Sequence, residues 1–98
     1  MNGGGKIYGY VFDTDGVTPM FNAPVGLYDG HTISMAIATN TEGYYEFVGI
    51  PIEAYAVRIE ITTDMFINSV SRTQGKIFVA FLTDRNPTKR GDFTKTLP

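Results

Sequence analysis

Ala54-Tyr55-Ala56-Val57-Arg58-Ile59-Glu60-Ile61-Thr62 decides the fold class. In an extended chain Tyr55, Val57, Ile59 and Ile61 share one side, and Ala56, Arg58 and Glu60 share the other. That two-residue period belongs to a half-buried β-strand. Moving outward, the same period recurs. Lys6 to Asp13 sets Ile7, Gly9 and Val11 against Tyr8, Tyr10 and Phe12, and Tyr45 and Phe47 point inward from a strand after Asn40-Thr41-Glu42-Gly43. Lys76 to Thr83 reads as a last strand with apolar residues on both faces: Ile77, Val79 and Phe81 on one, Phe78, Ala80 and Leu82 on the other. No stretch offers a helical period longer than a turn or two.

Between the strands stand turn residues. Asp13-Thr14-Asp15-Gly16 can bond its carboxylates to nearby N–H groups, and Gly16 tolerates positive φ. Pro19 and Pro24 bracket an irregular or edge segment, because neither donates to a ladder. Ala23 to Tyr28 and Thr32 to Thr39 form a hairpin. A two-residue Asp29-Gly30 loop would pair Leu27 with Thr32 and put the apolar sets on opposite faces. A loop of Asp29-Gly30-His31 pairs Leu27 with Ile33 and Val25 with Met35, which keeps the core continuous, so the longer loop is expected. Ile50-Pro51-Ile52-Glu53 is a corner, and Asp64 to Thr73 a loop or short strand. Short strands with turn signals about every eight to twelve residues mark an all-β, immunoglobulin-like or prealbumin-like antiparallel sandwich of about seven strands. Residues 1–98 form one domain, with a flexible lead-in over 1–5 and a polar tail over 84–98.

Composition limits what such a domain can do. Hydrophobic residues make up 43% and charged residues 18% of the 98, a globular balance. A formal net charge of −2 argues against a module that works by neutralising phosphates, so no nucleic-acid partner is expected. There are no cysteines, which removes disulfides, thiolate metal sites and a cysteine nucleophile. No apolar run approaches the ~20 residues of a membrane span, and no leader pattern precedes the first strand. A virion or cytoplasmic assembly is the location these features favour.

Several residues carry a family resemblance. They are Gly9-x-Val11-x-Asp13, Ala23-Pro24-Val25-x-Leu27, Thr39-Asn40-Thr41-Glu42-Gly43-x-Tyr45-x-Phe47, Ile50-Pro51 and Tyr55-x-Val57-x-Ile59. Over roughly residues 6 to 62 the chain resembles the carboxypeptidase regulatory-like domain, one of a transthyretin-like and Cna B-like group of sandwiches. Asn40 stands where that family often has Asp, and Ala54 where it usually has Gly. The resemblance implies a non-catalytic accessory role, usually within a larger assembly or at a cell surface. It also raises the internal Lys–Asn cross-link of some Cna B-like domains. Lys6 is the candidate amine, but Glu60, the carboxylate of the fifth strand, has the parity of a water-facing residue. Transthyretin-like hydrolases use several histidine and arginine positions, which a chain with one histidine cannot supply.

The residues themselves nominate no catalytic, cofactor or metal site. Asp13-Thr14-Asp15-Gly16 lacks the third oxygen ligand and the distal Glu of a calcium loop, and reads as a plain turn. His31 sits at a loop tip with no nucleophile or orienting partner indicated.

The residues that suggest function are rings in unexpected places. Tyr8, Tyr10 and Phe12 lie opposite the core face of the first strand, and Phe78 and Leu82 lie on a strand that is apolar on both sides. Three rings at ~150–250 Å² each make a patch on the order of 450–750 Å², at or above the largest patch of a typical monomer. Unless the C-terminal segment folds back over them, Tyr8, Tyr10, Phe12, Phe78 and Leu82 form an interface. The leading expectation is a structural or assembly protein that packs against copies of itself or a larger scaffold, such as a capsid decoration or tail-associated component. The alternative is a secreted or surface module that binds glycan or protein, with Tyr8, Tyr10 and Tyr44 stacking on the ligand.

Overall fold

The computed structural model describes residues 4–61, 64–70 and 75–97, so the first residues of the lead-in and part of the Asp64–Thr73 segment lie outside the described residues. Among the described residues nine strands follow in order: β1 (Gly5–Phe12), β2 (Pro24–Asp29), β3 (Thr32–Ala38), β4 (Tyr44–Ile50), β5 (Ala54–Ile59), β6 (Met65–Asn68), β7 (Ile77–Phe81), β8 (Thr88–Arg90) and β9 (Phe93–Leu97). They build two facing sheets. One runs β4-β1-β9-β6, with β8 also paired to β1, and the other runs β3-β2-β5-β7. The sandwich expected from the period is there, with two more strands than the sequence suggested.

The alternation of β1, β4 and β5 places the core. Ile7, Val11, Phe47, Val57 and Ile59 are fully buried, with Tyr45 and Tyr55 beside them. The string around Gly43 shows why its residues are needed together. The Asn40 side-chain oxygen accepts from the N–H groups of Glu42 and Tyr44 at 2.9 and 3.1 Å, which tightens the turn into β4. Gly43 has φ of 74°, and a Cβ there would stand 2.7 Å from the Val11 carbonyl. The buried Thr39 hydroxyl accepts from Ala23 N–H at 2.8 Å and donates to the Met20 carbonyl, pinning the start of β2.

Two local expectations change. The β2–β3 hairpin closes on Gly30-His31, with Asp29 opposite Thr32 and Tyr28 opposite Ile33, and a bulge between Leu27 and Tyr28 then sets Leu27 against Met35 and Val25 against Ile37. The parity conflict that argued for a three-residue loop is thus resolved inside the ladder, by one extra residue on β3. The second change is larger. The stretch expected as a polar tail supplies β8 and β9, which lie end to end and parallel beside β1: Lys6 to Tyr8 pair with Thr88 to Arg90, and Val11 and Phe12 with Phe93 and Thr94. Phe93 is fully buried. β9 then pairs antiparallel with β6, which carries Phe66 and Asn68 into the interior. The lead-in is shorter than expected, because Gly5 already belongs to β1.

Candidate interaction surface

Tyr8, Tyr10 and Phe12 do face away from the core, but they are half-buried and not bare. The register sets Tyr44 of β4 opposite Tyr10. Its ring lies 5.1 Å from Tyr10 and 6.2 Å from Tyr8, and Tyr10 stacks on Phe12 at 6.0 Å. Cations cover what remains. Arg90 of β8 puts its guanidinium 5.2 Å from the Tyr10 ring centre and 5.9 Å from that of Tyr8, and Lys6 lies 5.1 Å over Tyr8. Asp92 holds Arg90 at 3.2 Å. Tyr44 donates to Glu46 at 2.7 Å, and burial, followed by that hydrogen bond, pushes its phenol up to about 12. The chain's own C-terminal segment therefore covers this stripe in part, through the Arg90 guanidinium.

Phe78 and Leu82 lie inside the core, at 2% and 5% exposure, and belong to no outward surface. The β5–β7 register opposes Phe78 to the buried Val57 and Ala80 to the buried Tyr55, which turns Ile77, Val79 and Phe81 outward. The Phe78 ring fills space that exists because residue 91 has no side chain; a Cβ on Gly91 would stand 2.2 Å from its tip. Phe78 also packs on Phe93 at 5.4 Å. Since both faces of β7 are apolar in sequence, only these distant partners select the inward one.

The exposed apolar surface lies elsewhere than predicted. Among the described residues, the large hydrophobic side chains left exposed are Val17 and Phe21, in the loop after β1, and a set confined to edge strands. Ile33 and Met35 stand on β3, Val48 on β4, Met65 and Ile67 on β6, and Ile77, Val79 and Phe81 on β7, where Phe81 is 70% exposed. These strands meet in pairs. On one flank β3 and β4 share a cleft of about 300 Å³ lined by Met35, Val48 and Tyr55, with Asp29 and Glu53 at its rim. The Glu53 carboxyl is raised above its ordinary value, chiefly by its hydrogen bond with Asp29 and then by burial and the Asp29 charge. On the other flank β6 lies against β7, where the Asn68 side-chain N–H donates to the Ile77 carbonyl at 3.1 Å.

The other polar groups have structural partners. Asp15 accepts from the N–H groups of Val17 and Thr18 at 2.9 and 2.7 Å and from the Thr18 hydroxyl, which forms the plain turn expected of that stretch. Its carboxyl is held at about 2 by those bonds, the Thr18 hydroxyl first. Lys6 lies 3.9 Å from Glu46 on the outer face of one sheet, while Glu60 accepts from the Tyr28 hydroxyl at 2.7 Å on the outer face of the other, so the candidate amine and the carboxylate of the fifth strand do not meet. His31 is exposed beside a shallow hollow of about 230 Å³ that also includes Tyr28, Ala56 and Arg58.

No family model matches this chain, and no curated protein does. Solved structures do. The crystal structure of BcpA, the major pilin subunit of Bacillus cereus, superposes with a TM-score of 0.72 at 13% identity, over 96% of this chain and 30% of that one. A substituted form of the same subunit gives a TM-score of 0.67 at 15% identity, over 94% and 30%. At this identity the likeness shows the sandwich fold alone, and the chain spans about 30% of the pilin's length.

Proposed function

We propose that this chain is a non-catalytic structural module that packs side by side with protein neighbours in an extended assembly. The observation that carries this is that, apart from Val17 and Phe21 in the loop after β1, every large apolar side chain left exposed among the described residues stands on an edge strand, on both flanks of the sandwich. Scattered surface hydrophobics need no explanation, but a set gathered at opposite flanks marks contact surfaces. A solved protein of the same fold is itself a pilin subunit, which supports a fibre-like assembly over the virion component favoured by sequence economy. The tyrosine stripe supports a glycan-stacking module less well, because Arg90 and Lys6 already lie over its rings.

Sedimentation velocity from micromolar to millimolar concentration tests this reading. The expected result is species heavier than the 10.8 kDa monomer that grow with concentration and are lost in the double substitution Ile67→Lys with Phe81→Lys. A wild-type protein that stays monomeric throughout the range overturns it.

A further inference from the structure

β3 and β7 are the two edges of one sheet, and neither carries the charges or prolines that normally keep sheet edges apart; the bulge on β3 lies on the hairpin side of Met35, away from Ala36 and Ala38. Their sequences, Thr-Ile-Ser-Met-Ala-Ile-Ala and Ile-Phe-Val-Ala-Phe, contain no charge and no proline. Edges of that kind are templates for another strand.

The main chain of β7 is poised for one. Ile59 N–H donates to the Lys76 carbonyl and Leu82 N–H to the Glu53 carbonyl, so the even-numbered residues of β7 bond to β5. By alternation Ile77, Val79 and Phe81 turn their N–H and C=O groups away. The Ile77 carbonyl is taken by Asn68. The outward groups of Val79 and Phe81 have no partner among the described residues. On β3, Thr39 N–H donates to the Ala23 carbonyl, and the same alternation turns Ala36 and Ala38 outward.

The sheet's topology says what fits. Each neighbouring pair in β3-β2-β5-β7 is antiparallel, so with four strands the two edges run in opposite directions. A second copy displaced along the sheet brings its β3 beside β7 in antiparallel register, without inverting the molecule. The same displacement faces the apolar β6/β7 flank with the apolar β3/β4 flank of the next copy. We infer that β7 of one copy takes β3 of a second copy as a fifth strand, which makes a head-to-tail contact that does not close and so propagates. The inference rests on the assembly reading above and names its partner as this same chain.

Proline at an outward-facing edge position removes an edge donor while leaving the ladder to the inner strand intact. The test therefore uses Val79→Pro and Ala36→Pro, each checked by circular dichroism and thermal melting. The expected result is that each variant alone is monomeric where the wild type forms large species, while an equimolar mixture gives a dimer and nothing larger, since each supplies the edge the other lacks. Assembly that survives both substitutions overturns the edge pairing but leaves the assembly reading standing. Loss with Val79→Pro but not with Ala36→Pro means that β7 pairs with itself, which also overturns it. A monomeric wild type removes both. If a proline variant fails to fold, hydrogen exchange on the wild type decides: Val79 and Phe81 amides are expected to gain at least tenfold protection as concentration rises, and unchanged exchange overturns the pairing.

Discussion

The Tyr45 phenol donates to the Gly91 carbonyl at 2.6 Å, across the break between β8 and β9. Around that contact Gly91 N–H donates to the Tyr8 carbonyl at 2.9 Å, and Tyr10 N–H donates to the Asp92 carboxylate at 2.9 Å. The C-terminal strand thus breaks without leaving β1, because a side chain from β4 and one from the break itself take up the main-chain groups. A Cβ on Gly9 would stand 1.7 Å from the same carbonyl, so the two segments can pass this closely only with glycine at position 9.

Tyr45→Phe leaves that buried carbonyl without its phenol. The expected loss is about 1–3 kcal/mol in urea denaturation, with an unchanged m-value. Burial also raises the Tyr45 phenol well above its ordinary 10.0, with the Asp92 charge adding to it. A raised acid is stabilising in its protonated form, so its contribution is complete below about pH 10 and is lost as pH climbs past it. Tyr45→Phe is expected to flatten that alkaline limb, and an unaltered limb would count against the assignment.

Gly91→Ala drives a methyl group into the Phe78 ring. Overpacking of this kind costs ~1–3 kcal/mol. Shortening the ring by Phe78→Leu makes room, so Gly91→Ala is expected to cost less in that background than alone. A double-mutant cycle reads the coupling, and simple additivity would show that ring and glycine do not share the space.

Asp15 holds the turn after β1 in its charged form. Its folded value of about 2 lies below the ordinary 3.8, so the stabilisation is present above about 3.8 and is lost as pH falls towards 2. Carbon-detected NMR titration is expected to place its midpoint near 2 in wild type and part of the way back towards the ordinary value in Thr18→Val, which removes the leading hydrogen bond and keeps the two from main-chain N–H groups. No shift on that substitution would refute the cause given.

Glu53 has the opposite sign. Its carboxyl is raised by Asp29, so the pair is most favourable below Glu53's ordinary 4.5 and weakens as pH rises through the folded value. Glu53→Gln keeps an N–H donor for Asp29 and is expected to raise the melting temperature at pH 7 but not at pH 4. Equal effects at both values would dismiss the shared proton.

Much of this fold is legible from parity, because β1, β4 and β5 each pair an apolar face with a different one. The bulge opposite Leu27 is not, since periodicity reports that a register must shift but not whether loop or ladder absorbs it. β8 and β9 were hidden for a different reason. Thr88-Lys89-Arg90 is polar, Pro87 and Gly91 punctuate it, and its extended form comes from pairing with β1, far away in sequence. That blind spot also misplaced the candidate surface: without Gly91 and Phe93 as neighbours, nothing in Ile77-Phe78-Val79-Ala80-Phe81 says which side is inside.

The parallel setting of β1 beside β8 and β9 has a mechanical consequence. Tension applied at Gly5 and at residue 97 pulls these strands past one another along their length, so the bonds between them bear load together and do not unzip one at a time. The seam where β1 lies beside β8 and β9 is therefore where the sandwich resists a pull on those two ends, whereas tension passed through the β3 and β7 edges does not load it in shear.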